Sequence, residues 1–445
     1  MSSTKKLAIH GAIWTISGYG ISQLLRFGSN LALTHLLFPE LFGLMALVGV
    51  FIGGLHLFSD IGIGPSIIQN RRGDEPIFQN TAWTLQVLRG ILLWLCCVVI
   101  AFPVSHFYRE PQLLWLLPLV GLNSVISGFN STGLYTLNRN LSVKELSLFE
   151  LMGQLITVGV TLIWAWFDKS IWALVAGGLT SSIYQLVRSH QLNPGAPNRF
   201  VWEAKAVQQI VSFGKWIFLS TAMTFLSTQS DRLVLGRLLS IEMLGIYGIA
   251  YTLADIPKQL TMAIGGKVIF PMYAKLADLP REEFRERIQR SRLPILLGAT
   301  LGISLFVSFG DVVITLLYDD RYKEAAWMLP ILALGIWPVI LNTTLDQGLF
   351  AIGNIRYVVL GTFFSAVFLI GGMWLGFQFF GPVGAVIAVP FSNVPPYFII
   401  TYGLYREKLA CIGQDLKTTG LFLALLALFI GGRLIAGFPL PIPGV

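Results

Sequence analysis

Apolar stretches of about 20 residues, each long enough as a helix to cross a hydrocarbon core of ~30 Å, recur from one end of this 445-residue chain to the other. Only 12% of the residues are charged, about half of the ~25% that is usual for soluble domains. A transmembrane barrel would show short alternating strands instead. The sequence therefore predicts an all-α polytopic membrane protein.

Thirteen spans are predicted from the apolar runs, with short connections between most of them. The longest polar connections are residues 190–207 and 275–292. The predicted spans are 11–36, 41–66, 79–104, 113–137, 146–166, 170–189, 208–235, 243–269, 293–317, 326–352, 356–379, 384–404 and 418–438.

The positions of Lys and Arg predict the orientation of these spans. With the N-terminus in the cytoplasm, 19 of the 31 basic residues fall in cytoplasmic segments, and five fall in outer segments, namely Arg109, Lys169, Arg237, Arg321 and Lys323. This asymmetry follows the positive-inside rule. It also explains the formal net charge of +8, so we expect membrane lipids, and no nucleic acid, among the partners.

An internal repeat appears when the sequence is shifted by 202 positions. "NLALTHLLFPELFGLM" (30–45) then lies over "RLVLGRLLSIEMLGIY" (232–247), and Trp14 lies over Trp216. Because residue 208 begins the seventh predicted span, the two copies have the same orientation, which is a known transporter design.

The repeat predicts two six-helix lobes related by a pseudo-two-fold axis along the membrane normal, plus one additional helix. We expect an N-lobe at residues 1–190, a cytoplasmic linker at 191–207, a C-lobe at 208–405 and an additional C-terminal helix within 406–445.

Charged residues also occur inside the predicted spans, where a charge at the bilayer centre costs about 2.5–3.5 kcal/mol. The central ones are expected to face protein or water, and those near span ends (Lys215, Lys267 and Arg433) are expected to snorkel to the interface. The full set is Arg26, Asp60, Arg89, Glu150, Lys215, Asp231, Arg232, Asp255, Lys258, Lys267, Asp346 and Arg433.

Polar residues at helical spacing predict a hydrated, cationic cavity. Gln23, Arg26 and Asn30 lie on one face of the first span. Asp255 and Lys258 are three residues apart on the eighth span, where a structural ion pair and a functional role are both open.

The segment "STQSDRLVLGR" (227–237) carries the adjacent residues Asp231 and Arg232. Neighbouring residues on a helix do not face each other. Each of these two charges is therefore expected to need a partner on another helix or a ligand.

Motifs of enzyme chemistry are missing. "IGGKV" lacks the first glycine and the Ser or Thr of a P-loop, and the five histidines and three cysteines show no metal-ligand spacing. Asp319 and Asp320 in "YDDRY" could imitate the acidic pair of a membrane glycosyltransferase, but the predicted outer loops are only a few residues long. Transport is favoured over catalysis, with no cofactor and no metal.

Several segments resemble Wzx-type polysaccharide flippases, in the polysaccharide-transporter branch of the MOP exporter superfamily. They are "LALTHLLFPELFGLMALVGVFIGGLHLFSDIGIGPSIIQN" (31–70), "LNRNLSVKELSLFELMG" (137–153), "FGKWIFLSTAMTFLSTQSDRLVLGRLLSIEMLGIYGIAYTLADIPKQL" (213–260) and "YDDRYKEAAWMLPILALG" (318–335). Many such proteins have an even number of helices, up to fourteen, and the thirteen spans predicted here depart from that pattern.

The resemblance implies a flippase of the bacterial inner membrane that moves oligosaccharides linked to undecaprenyl pyrophosphate by alternating access of its lobes. Its partners would include a polysaccharide polymerase and export machinery. The residues expected to bind the substrate are Arg26, Arg89, Arg232, Lys258, Gln23 and Asn30. Asp231 or Asp255 would carry a coupling ion, H⁺ or Na⁺.

Two other functions stay open. A cation-coupled exporter of small molecules on the same scaffold would need a compact carboxylate site for the cation. A membrane glycosyltransferase or ligase would need a catalytic cluster at the outer surface.

Overall fold

The computed structural model describes residues 3–140, 142–192, 197–265 and 269–438, and helices fill most of these ranges, with no strand in them. Lys267 lies outside this description, as do the side chains of Lys215 and Trp216. The chain divides into two compact units, Met1–Ala222 (unit 1) and Met223–Val445 (unit 2). This division falls inside a helix, and the predicted limits 1–190, 191–207, 208–405 and 406–445 stay a prediction.

Unit 1 consists of helices of very different lengths, because two of the predicted spans are interrupted. Its helices are α1 (Ser3–Leu36), α2 (Pro39–Phe58), α3 (Ile63–Gln69), α4 (Pro76–Tyr108), α5 (Leu113–Gly128), α6 (Gly133–Arg139), α7 (Val143–Phe167), α8 (Trp172–Gln191) and the first part of α9 (Ala204–Leu238).

Local sequence accounts for where these helices start and break. Pro39 and Pro76 stand in the first turns of α2 and α4, where a missing backbone N–H leaves no bond unmade. Gly62, between α2 and α3, has φ 69°, a conformation that suits glycine. Helices α5 and α6 are bent by 63° relative to each other. The predicted spans 41–66 and 113–137 are thus broken rather than continuous.

Small residues let the helices of unit 1 approach closely. A Cβ on Gly90 in α4 would lie 2.4 Å from the carbonyl oxygen of Ser124 in α5. Helix α1 contacts α7 through a reciprocal pair, in which Ser22 Oγ donates to Gln154 Oε1 at 2.6 Å and Gln154 Nε2 donates to the Ser22 carbonyl at 2.9 Å. Gln154 therefore connects α7 to α1.

Residues 197–203, which we call the strap, lie along α4. The backbone N–H groups of Val201 and Glu203 donate to Thr84 Oγ1 and Thr81 Oγ1 at 3.1 and 3.2 Å. Arg72 Nη2 bonds the Glu203 carboxylate at 2.9 Å. Ala206 and Ile210, just after the strap, are buried in an apolar cluster of unit 1, with Ile63, Ile67, Phe78 and Ala82.

Unit 2 contains the rest of α9 and nine further helices in its described residues. They are α10 (Ile241–Ala254), α11 (Ile256–Ile264), α12 (Phe270–Leu276), α13 (Arg281–Leu317), α14 (Ala325–Leu334), α15 (Ile336–Ala351), α16 (Arg356–Phe391), α17 (Val394–Arg406) and α18 (Ile412–Ile435).

The polar connection predicted at residues 275–292 is helical for most of its length, because α13 already begins at Arg281. Charge pairs one helical turn apart support this polar extension. Glu283 and Arg287 lie 3.6 Å apart, and so do Glu286 and Arg290. Pairs at this spacing stabilise exposed helices by a few tenths of a kcal/mol each.

Helix α16 reverses direction at Gly381, whose φ of 60° and ψ of −146° are not helical. A Cβ on Gly376 would lie 2.4 Å from the Gly384 carbonyl oxygen, and one on Gly361 would lie 3.4 Å from Pro396. The two arms therefore form an antiparallel hairpin. The predicted spans 356–379 and 384–404 fall on its two arms.

Helix α18 runs parallel to α13 and is joined to it at both ends by ion pairs. Near the start of α18, Arg292 Nη2 of α13 lies 2.8 Å from Asp415 Oδ1. Near their ends, Arg433 pairs with Asp311. The prediction that Arg433 snorkels is wrong, because its side chain is buried and bound to this carboxylate and to the Ser308 carbonyl.

The repeat is visible in the helix limits of each unit. Helices α1 and α9 end at Leu36 and Leu238, and α2 and α10 begin at Pro39 and Ile241, so both limits keep the shift of 202. Glu40 and Glu242 stand in the first turns of α2 and α10. A second register, shifted by 212, relates α5 to α14 and matches Trp115 with Trp327 and Pro118 with Pro330.

Seven helical stretches among the described residues are long and apolar enough to cross a membrane, or eight if α5 and α6 count as one bent span. They include the predicted spans 79–104, 146–166, 293–317, 326–352 and 418–438. The predicted spans 11–36, 170–189, 208–235 and 243–269 fall on α1, α8, α9 and α10–α11. The chain is an all-α multi-pass membrane protein, as predicted.

Candidate functional site

A cavity of about 240 Å³ lies in unit 1, where α2 and α5 break. Its walls come from α2, α4, α5, α6 and the segment that links α5 to α6. The polar residues that line it are His56, Gln86, Arg89, Ser124, Ser127, Asn130, Ser131 and Tyr135, and Leu93 and Leu134 are among the apolar ones.

Arg89 is the cation of this cavity. It projects from α4 and donates from Nη2 to the His56 carbonyl at 2.7 Å and from Nε to Ser59 Oγ at 3.0 Å. No carboxylate of the described residues lies within ion-pair distance of it. Asp60, a nearby acid, accepts a hydrogen bond from the Gly62 N–H at 2.9 Å. The guanidinium therefore forms hydrogen bonds with residues at the end of α2. No described carboxylate there forms an ion pair with it.

Gln86, one turn before Arg89 on α4, holds the bend between α5 and α6. Its Nε2 donates to the carbonyls of Gly128 and Asn130 at 3.0 and 2.9 Å. These carbonyls lie at the break between α5 and α6, where the helical backbone hydrogen bonds are interrupted. The Gln86 amide therefore supplies donors that the backbone lacks there.

Two further groups complete the polar wall. His56 Nε2 and Ser124 Oγ are 2.9 Å apart, with the donor set by the ring tautomer. Asn130 Oδ1 is buried and has no hydrogen-bond partner among the described residues. A buried acceptor without a donor is costly.

A smaller pocket of about 60 Å³ lies in unit 2, also where helices break. Asp255 separates α10 from α11, and Asn393 separates α16 from α17. Asn393 Nδ2 donates, at 3.4 Å, to the carbonyl of Gly335, which separates α14 from α15. Three helix breaks therefore meet at this pocket, and Ser227, Asp231, Tyr251 and Lys258 also line it.

The two adjacent charges of "STQSDRLVLGR" have separate partners on α10, as expected from their spacing. Asp231 is buried, and its Oδ2 accepts a hydrogen bond from Tyr247 at 2.7 Å. Arg232 lies 5.6 Å from the ring centre of Tyr251 and bonds Gln229 at 3.2 Å. Asp231 Oδ1 has no hydrogen-bond partner among the described residues.

Asp255 and Lys258 form an ion pair of 2.9 Å. Asp255 Oδ2 also accepts from Gln259 Nε2 at 3.1 Å. The lysine is thus compensated by a neighbouring carboxylate, unlike Arg89.

The pocket and the cavity occupy corresponding places in the repeat. The shift of 202 takes His56 to Lys258, and the shift of 212 takes Ser124 to Ile336 and Ser127 to Val339. All six residues line their respective spaces. At the last two of these positions, unit 1 thus has hydroxyl groups and unit 2 has apolar groups.

The structure brings some predicted site residues together and leaves others apart. Asp231, Asp255 and Lys258 line one pocket, and Arg89 lines the cavity of unit 1. The α1 residues line neither space: Arg26 is exposed, and Gln23 and Asn30 are half-buried.

His56 was not predicted as a site residue from the sequence, because no second residue that could bind a metal stands near it. The signal that could have found it is the repeat, which places it over Lys258.

Helices interrupted at polar cavities are a recurring feature of transporter sites. The fold is similar to those of two solved transporters. The lipid II flippase MurJ in its inward closed conformation matches with a TM-score of 0.73 and 13% identity, over 96% of this chain and 93% of that chain. An inward-facing multidrug resistance MATE transporter matches with a TM-score of 0.58 and 11% identity, over 88% and 94%. These similarities concern the fold alone, and they confirm the predicted MOP-type fold class.

Residues 31–327 match the family described as "Polysaccharide biosynthesis protein". This range is more than half of the chain, and the protein belongs to that family. The resemblance to polysaccharide transporters is confirmed.

Curated relatives agree with this family. Teichuronic acid biosynthesis protein TuaB of Bacillus subtilis is 27% identical over 64% of this chain and 59% of its own length. Lipopolysaccharide biosynthesis protein WzxC of Escherichia coli is 24% identical over 62% and 56%. Succinoglycan biosynthesis transport protein ExoT of Rhizobium meliloti is 20% identical over 70% and 62%. The chain spans less than two thirds of the length of each of these relatives.

Proposed function

We propose that this protein is a flippase, which moves undecaprenyl-pyrophosphate-linked oligosaccharide repeat units across the bacterial inner membrane for exopolysaccharide or O-antigen assembly. Family membership supports this proposal, as does the likeness to a succinoglycan biosynthesis transport protein and, in fold, to a lipid II flippase. The observation that carries it is Arg89, a cation without a described carboxylate partner in a polar cavity of a membrane-spanning unit.

The anionic parts of the substrate are assigned to Arg26, Arg89 and Arg232, with Gln23 and Asn30 as neutral neighbours on α1. Guanidinium groups bind phosphate oxygens through two parallel hydrogen bonds. Arg26 is exposed, and so is accessible to a large head group. Lys258 would join this set only when its ion pair with Asp255 opens.

Alternating access of the two units would drive the movement, with a cytoplasmic N-terminus. A polymerase and export machinery would then use the flipped unit. Asp231 and Asp255 would couple the cycle to H⁺ or Na⁺, because both carboxylates line one pocket and Asp231 Oδ1 has no described hydrogen-bond partner. Uptake of lipid-linked substrate by inverted vesicles under an imposed Na⁺ or proton gradient identifies the ion. Uptake that ignores both gradients would exclude coupling.

The experiment that tests the function uses a strain lacking the chromosomal copy of this gene. We expect lipid-linked repeat units to accumulate in the cytoplasmic leaflet and polymer export to stop, and the intact gene to restore export. The double variant Arg26→Gln/Arg89→Gln should fail to restore it, because both charges assigned to the substrate in unit 1 are lost. Surface polymer and labelled lipid-linked sugar are measured.

Arg199→Gln is the matched control, since this exposed arginine lies on the strap and is assigned no part in binding. Immunoblots of membranes establish that all variants are inserted in equal amounts. Normal export by the double variant would contradict the assignment of these arginines, and unchanged lipid-linked sugar in the deletion strain would contradict the function itself.

A cation-coupled exporter of small molecules is the second candidate, because two carboxylates line the pocket of unit 2 and the fold also matches a MATE transporter. Under that function, the deletion strain would show increased sensitivity to toxic cations and no build-up of lipid-linked sugar. The same strain therefore separates the two candidates.

A further inference from the structure

We propose that the cavity of unit 1 binds one acidic sugar of the translocated glycan, a ring that carries a carboxylate together with free hydroxyl groups. This inference rests on the proposed function and names the class of glycan that the flippase accepts. It assigns Arg89 to the sugar and leaves the diphosphate to Arg26 and Arg232.

The charge of the cavity calls for a single anionic group. Arg89 Nε and Nη2 bond a hydroxyl and a carbonyl, which are both neutral, and its Nη1 has no partner among the described residues. A buried charge is costly unless an opposite charge compensates it. One carboxylate balances one guanidinium, whereas a diphosphate would bring at least one excess negative charge into the cavity.

The size and the remaining wall fit one sugar ring. A volume of about 240 Å³ is far larger than the space that a single water molecule needs. Ser124, Ser127 and His56 can each donate or accept a hydrogen bond, which suits ring hydroxyls. Leu93 and Leu134 supply apolar contact for the faces of the ring.

The corresponding place in unit 2 lacks this combination. Lys258 is already paired with Asp255. Ile336 and Val339 stand where Ser124 and Ser127 stand in unit 1. The repeat therefore carries the same recess twice, and of these two copies the one in unit 1 has a lining cation without a carboxylate partner among the described residues.

The experiment uses the purified full-length protein in nanodiscs of phosphatidylethanolamine and phosphatidylglycerol. Saturation-transfer NMR measures the binding of D-glucuronate, D-glucose and inorganic pyrophosphate. We expect glucuronate to bind at least tenfold more tightly than glucose, because a hydrogen-bonded charge contributes more than a neutral group. Pyrophosphate should not displace it.

Three variants locate the binding. Arg89→Gln should weaken glucuronate at least tenfold, and Arg89→Lys should give an intermediate loss because it keeps the charge without the planar fork. Arg199→Gln, on the strap, should bind as the unchanged protein does. Thermal unfolding of each variant separates loss of the ligand from loss of the fold.

Four results would overturn the proposal: absence of glucuronate binding, displacement of glucuronate by pyrophosphate, equal binding of glucose and glucuronate, or glucuronate binding that Arg89→Gln leaves unchanged. The last result would leave Arg89 only its hydrogen bonds at the end of α2. Translocation in the deletion strain is measured separately, so these failures are distinguishable from failure of the proposed function.

Discussion

Arg292 and Asp415 are a fully buried pair of opposite charges, 0% and 1% exposed, in unit 2. Arg292 Nε also donates to Thr344 Oγ1 at 3.0 Å, and Tyr397 donates to Asp415 Oδ2 at 3.2 Å. The pair thus links α13, α15, α17 and α18. Because each charge is compensated, the cluster is a structural connection rather than a site for a charged ligand.

Removal of one partner should destabilise unit 2 strongly. Asp415→Leu leaves a buried, uncompensated arginine and is expected to cost about 3–5 kcal/mol. The double variant Arg292→Met/Asp415→Leu should recover most of that loss. Denaturant unfolding in detergent measures both. Glu286→Ala, which removes an exposed pair, is the control and should change little. Equal losses in the single and double variants would contradict the coupling of the pair.

The sequence could predict local pairs and not this one. Asp255 and Lys258 are three residues apart, and helical spacing alone raised their ion pair as a possibility, which the structure confirms. Arg292 and Asp415 are 123 residues apart. Periodicity predicts which residues share a face of one helix, but it does not predict which faces of distant helices meet. For the same physical reason, Arg433 was predicted to snorkel although Asp311 was available to it.

Gly90 allows α4 and α5 to pack closely beside the cavity. A Cβ there would lie 2.4 Å from a backbone carbonyl of α5, and a backbone cannot move aside as a side chain can. Gly90→Ala is therefore expected to destabilise the α4–α5 pair by about 1–3 kcal/mol, as overpacking does. Thermal unfolding in detergent measures the effect.

Gly159 in α7 is the matched control, because a Cβ there meets nothing within 4 Å. Gly159→Ala should be neutral or slightly stabilising, since alanine favours the helix. If both variants unfolded at the same temperature, close approach at Gly90 would not limit the packing.

Helix breaks were harder to predict than helices. Hydropathy averaged over 41–66 and 113–137 predicted continuous spans, because apolar residues flank both of the short breaks. The breaks depend on Gly62 in a left-handed conformation and on Gln86 bonding carbonyls at the end of α5. The first is a local property of glycine. The second is a contact between helices, and no local pattern predicts it.

The repeat predicted the limits of corresponding helices better than it predicted the residues of the two sites. The shift of 202 fixes the ends of α1 and α9 and the starts of α2 and α10. It also takes His56 to Lys258, although histidine and lysine give little sequence similarity. A duplicated fold therefore keeps its helix limits while the residues that line the two recesses diverge.

The strap, which directly precedes α9, is hydrogen-bonded to α4 of the same unit. Glu75 and Glu203 raise the pKa of Arg72 by hydrogen bonding, so it stays charged.

In a background without Cys96, Cys97 and Cys411, a disulfide between Thr84→Cys and Val201→Cys should leave polymer export unchanged, because both positions belong to one compact unit. Surface polymer is measured with and without oxidant, and the single-cysteine variants are the controls. Export that stops only in the oxidised double variant would show that the strap must leave α4 during transport.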